Sequence, residues 1–141
     1  MSRLPTWMRV AMLATALMNV AVAPAFLPAG EPLRVRFGFP PGGEPFYVAM
    51  AAMFVLLFGL GYLWTGVTGR ADRTFILVAG VGKCSFFLLL AGFWLAGALP
   101  ARAPLSGLAD LLFGLLFLGW LARARERVDA AERVARAVAG R

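Results

Sequence analysis

The stretch from Thr74 to Ala98, TFILVAGVGKCSFFLLLAGFWLAGA, decides the fold class of this chain. Apart from Thr74 at its start, it is apolar except for Lys83 and the two small residues that follow, Cys84 and Ser85. A helix that crosses a membrane needs about 20 mainly apolar residues, with a range of roughly 17 to 25. Because backbone amides and carbonyls inside lipid must bond to one another, the stretch predicts a spanning α-helix.

Three further apolar runs lie on either side of this stretch. Together the runs give four predicted spans, at residues 7–28, 46–68, 74–98 and 105–122. Connections before and after the third span are short, which predicts antiparallel neighbours. We therefore predict an all-α integral membrane protein, with an antiparallel four-helix bundle over residues 1–122 and an arginine-rich cytoplasmic tail helix over residues 123–141.

The composition agrees with a bilayer as the solvent. Of the 141 residues, 61% are hydrophobic and 15% are charged, and the mean hydropathy is +0.79. These values lie outside the range of water-soluble globular domains. The net charge of +7 could indicate a nucleic-acid partner, but the arginines lie between or beyond the apolar runs. Membrane topology explains them better, and no nucleic-acid binding is predicted.

The lack of histidine narrows the chemistry. The chain has no histidine and one cysteine, Cys84. That composition excludes an intramolecular disulfide, a cysteine zinc site, histidine-ligated haem and Ser-His or Cys-His catalysis. No metal, cofactor or catalytic residue is predicted, and Cys84 is interpreted as a small buried side chain.

The distribution of arginine predicts the orientation. With the N-terminus in the cytoplasm, the outer side carries only Arg34, Arg36 and Arg102. The inner side carries ten arginines, namely Arg3, Arg9, Arg70, Arg73, Arg123, Arg125, Arg127, Arg133, Arg136 and Arg141. Following the positive-inside rule, we expect both termini in the cytoplasm.

The first run also fits a different interpretation. Two arginines precede an apolar stretch that ends in small residues, which is typical of a secretory signal peptide. The stretch is long for that purpose, and Pro24 would obstruct cleavage after Ala23. We expect a retained span, and cleavage would leave the orientation of the other three unchanged.

The connection after the first run contains LRVRFGF, from Leu33 to Phe39, with an apolar residue at every second position. This alternation predicts a short extended segment that ends before Pro40. Two interpretations remain open for it, an ordinary interfacial loop and a lid over a cavity in the bundle.

Lys83 is the most informative single residue, being the only lysine in the chain. It lies about 13 Å from Thr74 at the helical rise per residue, which is deep inside the third run. Lysine at a helix centre costs roughly 2.5 to 3.5 kcal/mol on insertion scales, so such a residue usually faces a partner or a cavity.

The partner that the sequence offers is Asp110, the one acidic residue within the four runs. Estimated depths leave a gap of about 9 to 15 Å between the two backbones, so either a direct pair or a polar bridge is compatible with them. Asn19 is the expected bridge, and Tyr62 is a further member of this predicted polar centre. The centre is interpreted either as a packing contact or as a ligand-binding or proton-moving site.

Several short motifs carry a family resemblance. They are Phe58-Gly-Leu-Gly-Tyr-Leu-Trp64 in the second run, Gly80-Val-Gly-Lys83 in the third and Asp110-Leu-Leu-Phe113 in the fourth. With four short spans and a proline-rich outer connection, the chain resembles small bacterial DoxX-like membrane proteins. The resemblance implies a four-helix bundle in the cytoplasmic membrane, sometimes a subunit beside redox enzymes or quinone chemistry, and it brings no defined catalytic set.

Two classes of function therefore remain. The first is a non-enzymatic membrane protein that binds a lipophilic molecule or acts as an accessory subunit, with Lys83, Asp110, Asn19 and Tyr62 orienting a polar group. Its partners would be the bilayer, a lipophilic small molecule, and a membrane protein or a second copy of the chain. The alternative is a small proton-coupled carrier. Carriers usually contain internal repeats, and the sequence shows no clear repeat, which argues against a carrier. An enzyme that uses a desolvated lysine is the weakest of the three hypotheses.

Overall fold

A computed structural model describes residues 3–139 and shows a helical chain. Within that range no strand is present, and the one β-type contact is an isolated antiparallel bridge between Arg3 and Arg70. The helices are α1 Thr6–Val22, α2 Glu31–Arg36, α3 Pro45–Thr68, α4 Arg73–Leu95, α5 Arg102–Ser106 and α6 Leu108–Ala139. Two turns of 3-10 helix, Ala23–Phe26 and Pro28–Gly30, join α1 to α2. The predicted all-α class is confirmed.

Three helices in the described part of the chain are long and apolar enough to cross a membrane. They are Thr6–Phe26, which is α1 with the turn after it, Pro45–Thr68 and Arg73–Leu95. Only 17% of the α3 window is buried inside the protein, so most of its apolar side chains lie on the surface, as in a helix that crosses a membrane. Helices therefore occupy the first three predicted runs, within a few residues of the predicted limits.

The fourth predicted run does not form one helix. A break at Gly107 divides it between α5 and α6, so the apolar part of α6 extends only from Leu108 to Ala122 before Arg123. That part is about 22 Å long at the helical rise, shorter than a hydrocarbon core of about 30 Å. By length and composition α6 does not meet the requirements that the other three long helices meet.

The start of α4 illustrates how local sequence sets the helix limits. Gly69 ends α3 with φ of 65°, a left-handed conformation that glycine adopts at little cost. Three residues later the Asp72 side chain accepts a hydrogen bond from the Phe75 amide at 3.0 Å and caps α4. The connection is so short that α3 and α4 must run in opposite directions.

The long helices associate as two antiparallel pairs, α1 with α3 and α4 with α6. In the first pair, the Leu4 amide donates to the Gly69 carbonyl at 2.9 Å, and Arg9 donates from Nε to the Gly66 carbonyl at 3.0 Å. In the second pair, a Cβ on Gly114 would lie 2.9 Å from the Gly80 carbonyl oxygen. Small residues let both pairs approach closely.

One hydrophobic core joins the two pairs. Its most buried members come from all four long helices and include Met8, Met12, Tyr62, Ile76 and Phe117, each at most 2% exposed. All five lie toward the end where α1 and α4 begin and α3 ends. We call this the arginine-rich end, because Arg3, Arg9, Arg70 and Arg73 lie there. The opposite end, with most of the prolines, is the proline-rich end.

The expectation of an extended segment from Leu33 to Phe39 is wrong. Residues 31–36 form α2, with Pro32 in its first turn, where proline is tolerated because no intrahelical amide is lost. The alternating pattern also fails to separate the two faces, since Leu33 is exposed whereas Arg34 is buried. An alternation over seven residues does not outweigh the contacts that Arg34 makes with other parts of this connection.

The predicted boundary between bundle and tail corresponds to a change of composition within one helix. α6 continues from Leu108 through Arg123 to Ala139 without a break. Of the predicted tail, residues 140 and 141 lie outside the described part of the chain.

The close contact between α4 and α6 gives a testable prediction. A Cβ on Gly114 would lie 2.6 Å from the Cys84 sulfur as well as close to the Gly80 carbonyl. Gly114→Ala should therefore lower the free energy of unfolding by about 2 kcal/mol, because the helices must separate. The measurement is denaturant unfolding in detergent micelles, followed by circular dichroism.

Gly119 provides the matched control in the same helix. A Cβ there would meet nothing within 4 Å, so Gly119→Ala should be neutral or stabilise by up to about 1 kcal/mol through helix propensity. Equal effects of the two substitutions would show that α4 and α6 are not in close contact at Gly114.

Candidate functional site

A cavity of about 510 Å³ lies between the two helix pairs, in the half of the molecule toward the proline-rich end. The core fills the other half, so the two helix pairs pack tightly against each other at one end and are separated at the other. Aromatic side chains make up much of the cavity wall, and six phenylalanines line it: Phe26, Phe37, Phe39, Phe54, Phe58 and Phe86.

All four residues of the predicted polar centre line this cavity. Asn19 comes from α1, Tyr62 from α3, Lys83 from α4 and Asp110 from α6. Each long helix therefore contributes one polar side chain to a mainly apolar cavity wall. Ser106, which the sequence did not single out, is a fifth polar residue on the wall, and its hydroxyl donates to the Ala103 carbonyl at 2.7 Å.

Lys83 and Asp110 form a direct ion pair, with Nζ of the lysine donating to Oδ1 of the aspartate. The side chains are 6% and 20% exposed, respectively. A carboxylate at this position offsets the cost of placing an ammonium group in an apolar environment. The depth estimates left both a direct pair and a bridged pair open; the structure shows the direct pair, and Asn19 is not part of it.

The ammonium group of Lys83 also contacts a third helix. Its Nζ lies 5.3 Å from the centroid of the Tyr62 ring, within the range of a cation–π interaction. Tyr62 packs in turn on Phe75 at 5.5 Å and on Phe117 at 5.9 Å between ring centroids. Lys83 therefore connects α4 to α6 through a charge and to α3 through an aromatic face.

Asn19 has a different partner. Its Nδ2 donates to the Val55 carbonyl at 3.0 Å and so ties α1 to α3. One helical turn after Val55, a Cβ on Gly59 would lie 3.2 Å from Asn19 Cβ, which shows how closely α1 and α3 approach each other. The amide is a helix-pairing contact that borders the cavity.

The other polar candidates lie elsewhere. Thr15 is fully buried in α1, and its hydroxyl has no hydrogen-bond partner among the described residues. Ser85 is exposed on α4. The sulfur of Cys84 lies against Gly114 at the contact between α4 and α6, in keeping with its interpretation as a small packing residue.

The connection between α1 and α3 closes the proline-rich end of the cavity. Phe39 contacts Phe26 edge-on at 5.8 Å and stacks on Phe86 at 6.4 Å between ring centroids. Arg34 is 6% exposed and donates to the carbonyls of Ala25, at 3.1 Å, and Gly42, at 2.9 Å. A buried guanidinium that holds both sides of the connection gives Phe39 a defined position over the chamber.

The helical spacing of residues in the sequence could have predicted part of the cavity wall. Residues 51, 55, 58 and 62 lie on one face of α3 by their spacing, and 79, 83 and 86 lie on one face of α4. Extending the face that carries Lys83 along its own helix predicts Phe86. The second face could not be predicted, because nothing in the sequence sets how α3 is rotated toward α4.

The cavity wall combines one ion pair with neutral hydrogen-bonding groups. In the part of the chain that the structure describes, no group of three or more cysteine, aspartate or glutamate side chains is placed to hold a metal ion. Besides the ion pair, the wall offers a phenol, an amide and a hydroxyl, which are groups that orient a ligand through hydrogen bonds.

Comparison of the chain with protein-family models, with curated proteins and with solved structures gives no match. The resemblance to DoxX-like proteins therefore stays a prediction from the sequence.

The ion pair gives a prediction that tests whether Lys83 and Asp110 stabilise the protein through their interaction or independently of each other. Lys83→Met and Asp110→Leu should each destabilise the protein by about 3 kcal/mol, because each leaves a buried charge without its partner. The double variant should be more stable than the sum of the two effects implies. Thermal unfolding in micelles gives the coupling energy, expected to exceed about 1 kcal/mol, whereas additive effects would mean that the two groups do not interact.

Proposed function

We propose that this chain is a non-enzymatic integral membrane protein that binds a lipophilic molecule in the cavity between its helix pairs. The observation that carries the proposal is the chamber itself, in which six phenylalanines surround one ion pair. Its volume of about 510 Å³ falls within the range of small-molecule sites, roughly 300 to 1,000 Å³.

The polar groups indicate what kind of molecule fits. Asp110 uses Oδ1 for Lys83, and its Oδ2 has no hydrogen-bond partner among the described residues. The Tyr62 hydroxyl likewise makes no hydrogen bond within the described part of the chain, although its ring lines the cavity. Since polar groups in an apolar site favour a partner over none, a hydrophobic ligand that bears a hydroxyl or an amide would satisfy both.

The proposal includes four spans. α5 and the apolar part of α6 would together form the fourth, with the break at Gly107 lying near the proline-rich membrane surface. Support comes from the shared core, to which α6 contributes Phe117. A short apolar segment is accommodated by local thinning of the bilayer or by flanking residues that reach the interface.

For the orientation, we propose that the chain lies in a bacterial inner membrane with its arginine-rich end facing the cytoplasm. The second half of α6 then extends into the cytoplasm. Arg3, Arg9, Arg70 and Arg73 lie at that end together with the arginines of α6. At the other end, Arg34 is buried, so that Arg36 and Arg102 are the exposed cations there. This asymmetry supports the positive-inside assignment.

A proton-coupled carrier is the second candidate, favoured by an ion pair at membrane depth. Such a carrier must expose its central charges to each side in turn. The core closes the arginine-rich half with fully buried side chains, and Lys83 is 6% exposed. This arrangement supports binding over transport. An accessory role beside another membrane protein is compatible with binding, and the DoxX-like resemblance would lead one to look for it.

Filling the cavity tests the proposal directly. Gly82 lines the cavity, and a Cβ at this position would meet nothing within 4 Å. Gly82→Leu should therefore place a side chain in the chamber without straining the backbone. Lipophilic molecules retained by the purified protein, extracted and identified by mass spectrometry, should be at least about tenfold depleted in this variant, which corresponds to roughly 1.4 kcal/mol.

Gly92 offers a control on the same helix. It too would accept a Cβ without contact, but it does not line the cavity. Both leucine variants gain helix propensity of about 1 kcal/mol, so their unfolding should be alike. If the wild-type protein carries no stoichiometric lipophile, or if Gly82→Leu retains it as fully as Gly92→Leu does, the cavity is not a binding site.

A further inference from the structure

A second concave surface lies at the arginine-rich end, apart from the cavity. It is an open groove of about 600 Å³ between the first turns of α4 and the middle of α6. The groove shares no residue with the cavity and is lined by Arg73, Thr74, Leu77, Leu118, Leu121, Ala122 and Arg125.

Two guanidinium groups, those of Arg73 and Arg125, border this groove. Arg73 and Arg125 are exposed, and neither forms an ion pair or a side-chain hydrogen bond within the described residues. Arg9 contrasts with them, because it donates to the carbonyls at the end of α3. The carboxylate nearest in sequence to Arg73, that of Asp72, accepts a hydrogen bond from the Phe75 amide.

Leucines form the rest of the groove wall. Leu77 on α4 and Leu118 and Leu121 on α6 provide an apolar surface that begins at the arginines and runs toward the middle of the helices. Exposed tryptophans at the same end, Trp7 and Trp64, are the residues typical of the membrane–water interface. With the chain inserted as proposed, the arginines would lie at headgroup depth and the leucines at the depth of acyl chains.

We propose that this groove binds one anionic phospholipid, with its phosphate between Arg73 and Arg125 and an acyl chain along Leu77 and Leu121. Charge and shape both favour this occupant. Guanidinium groups bind phosphate oxygens through charge-assisted hydrogen bonds, and a soluble anion would leave the leucine wall uncovered. The proposal depends on membrane insertion and not on a ligand in the cavity, so either one can fail alone.

Native mass spectrometry of the full chain in a non-ionic detergent tests the proposal. Dioleoyl-phosphatidylglycerol is titrated as the anionic probe, with dioleoyl-phosphatidylcholine and free glycerol phosphate as comparisons. The first adduct of phosphatidylglycerol should form at the lowest concentration. The double variant Arg73→Gln/Arg125→Gln should weaken it by roughly 25-fold, since each arginine near an anionic lipid contributes about a factor of five.

A charge-matched control removes two arginines from the same end but outside the groove. Arg70 and Arg123 are exposed and do not line it, so Arg70→Gln/Arg123→Gln should bind phosphatidylglycerol nearly as the wild type does. Ala122→Trp keeps every charge and fills the groove, and it should weaken binding as strongly as the loss of the two groove arginines.

Three outcomes would overturn the proposal. Equal weakening in both double variants would mean that diffuse charge attracts the lipid. Equal binding of phosphatidylcholine would remove the role of the arginines. Binding of glycerol phosphate as tight as that of the whole lipid would make the groove an anion site without a lipid chain. Unfolding temperatures of the lipid-free variants within a few degrees of the wild type establish that the fold is intact.

Discussion

One ammonium group inside an apolar helix requires a counter-charge, and this requirement determines how α4 and α6 pack. Lys83 is 6% exposed, and its partner Asp110 lies on another helix, so the pair sets both the distance and the register between α4 and α6. A one-residue shift would rotate Asp110 by about 100° and leave two charges without a partner in a medium that solvates neither. Small residues at Gly80 and Gly114 satisfy the same register, so sterics and electrostatics select one arrangement.

The hollow half of the molecule follows from how this contact is combined with the other helix pair. Asn19 holds α1 against α3 through the Val55 carbonyl, and the Lys83–Asp110 contact holds α4 against α6. The pairs meet through aromatic rings around Tyr62 at one end only. Toward the other end none of the described side chains fills the gap, and the connection that carries Phe39 covers it. A chamber lined by rings and one ion pair is the result.

What the sequence could predict was set by how local the determining forces are. The positions of the predicted spans follow from the length of the apolar runs. Asp110 could be predicted as the partner of Lys83 because it is the one acidic residue within those runs. The short helix Glu31–Arg36 was missed because its conformation depends on Arg34 reaching carbonyls at both sides of the connection. The break at Gly107 was missed because both parts of the fourth run are apolar. Cavity and groove arise from the relative placement of helices, which no local pattern encodes.

The unbroken course of α6 has a mechanical consequence. The helix comprises 32 residues and is about 48 Å long at the helical rise, with Asp110 in its first turn and the arginine-rich segment in its second half. A helix bends sharply only at a proline, a bulge or a similar defect, and α6 contains no proline. The helix can therefore transmit a displacement along its length to Asp110, the counter-charge of Lys83. A bound partner or the membrane surface that moves the arginine-rich half would then move Asp110 at the cavity wall.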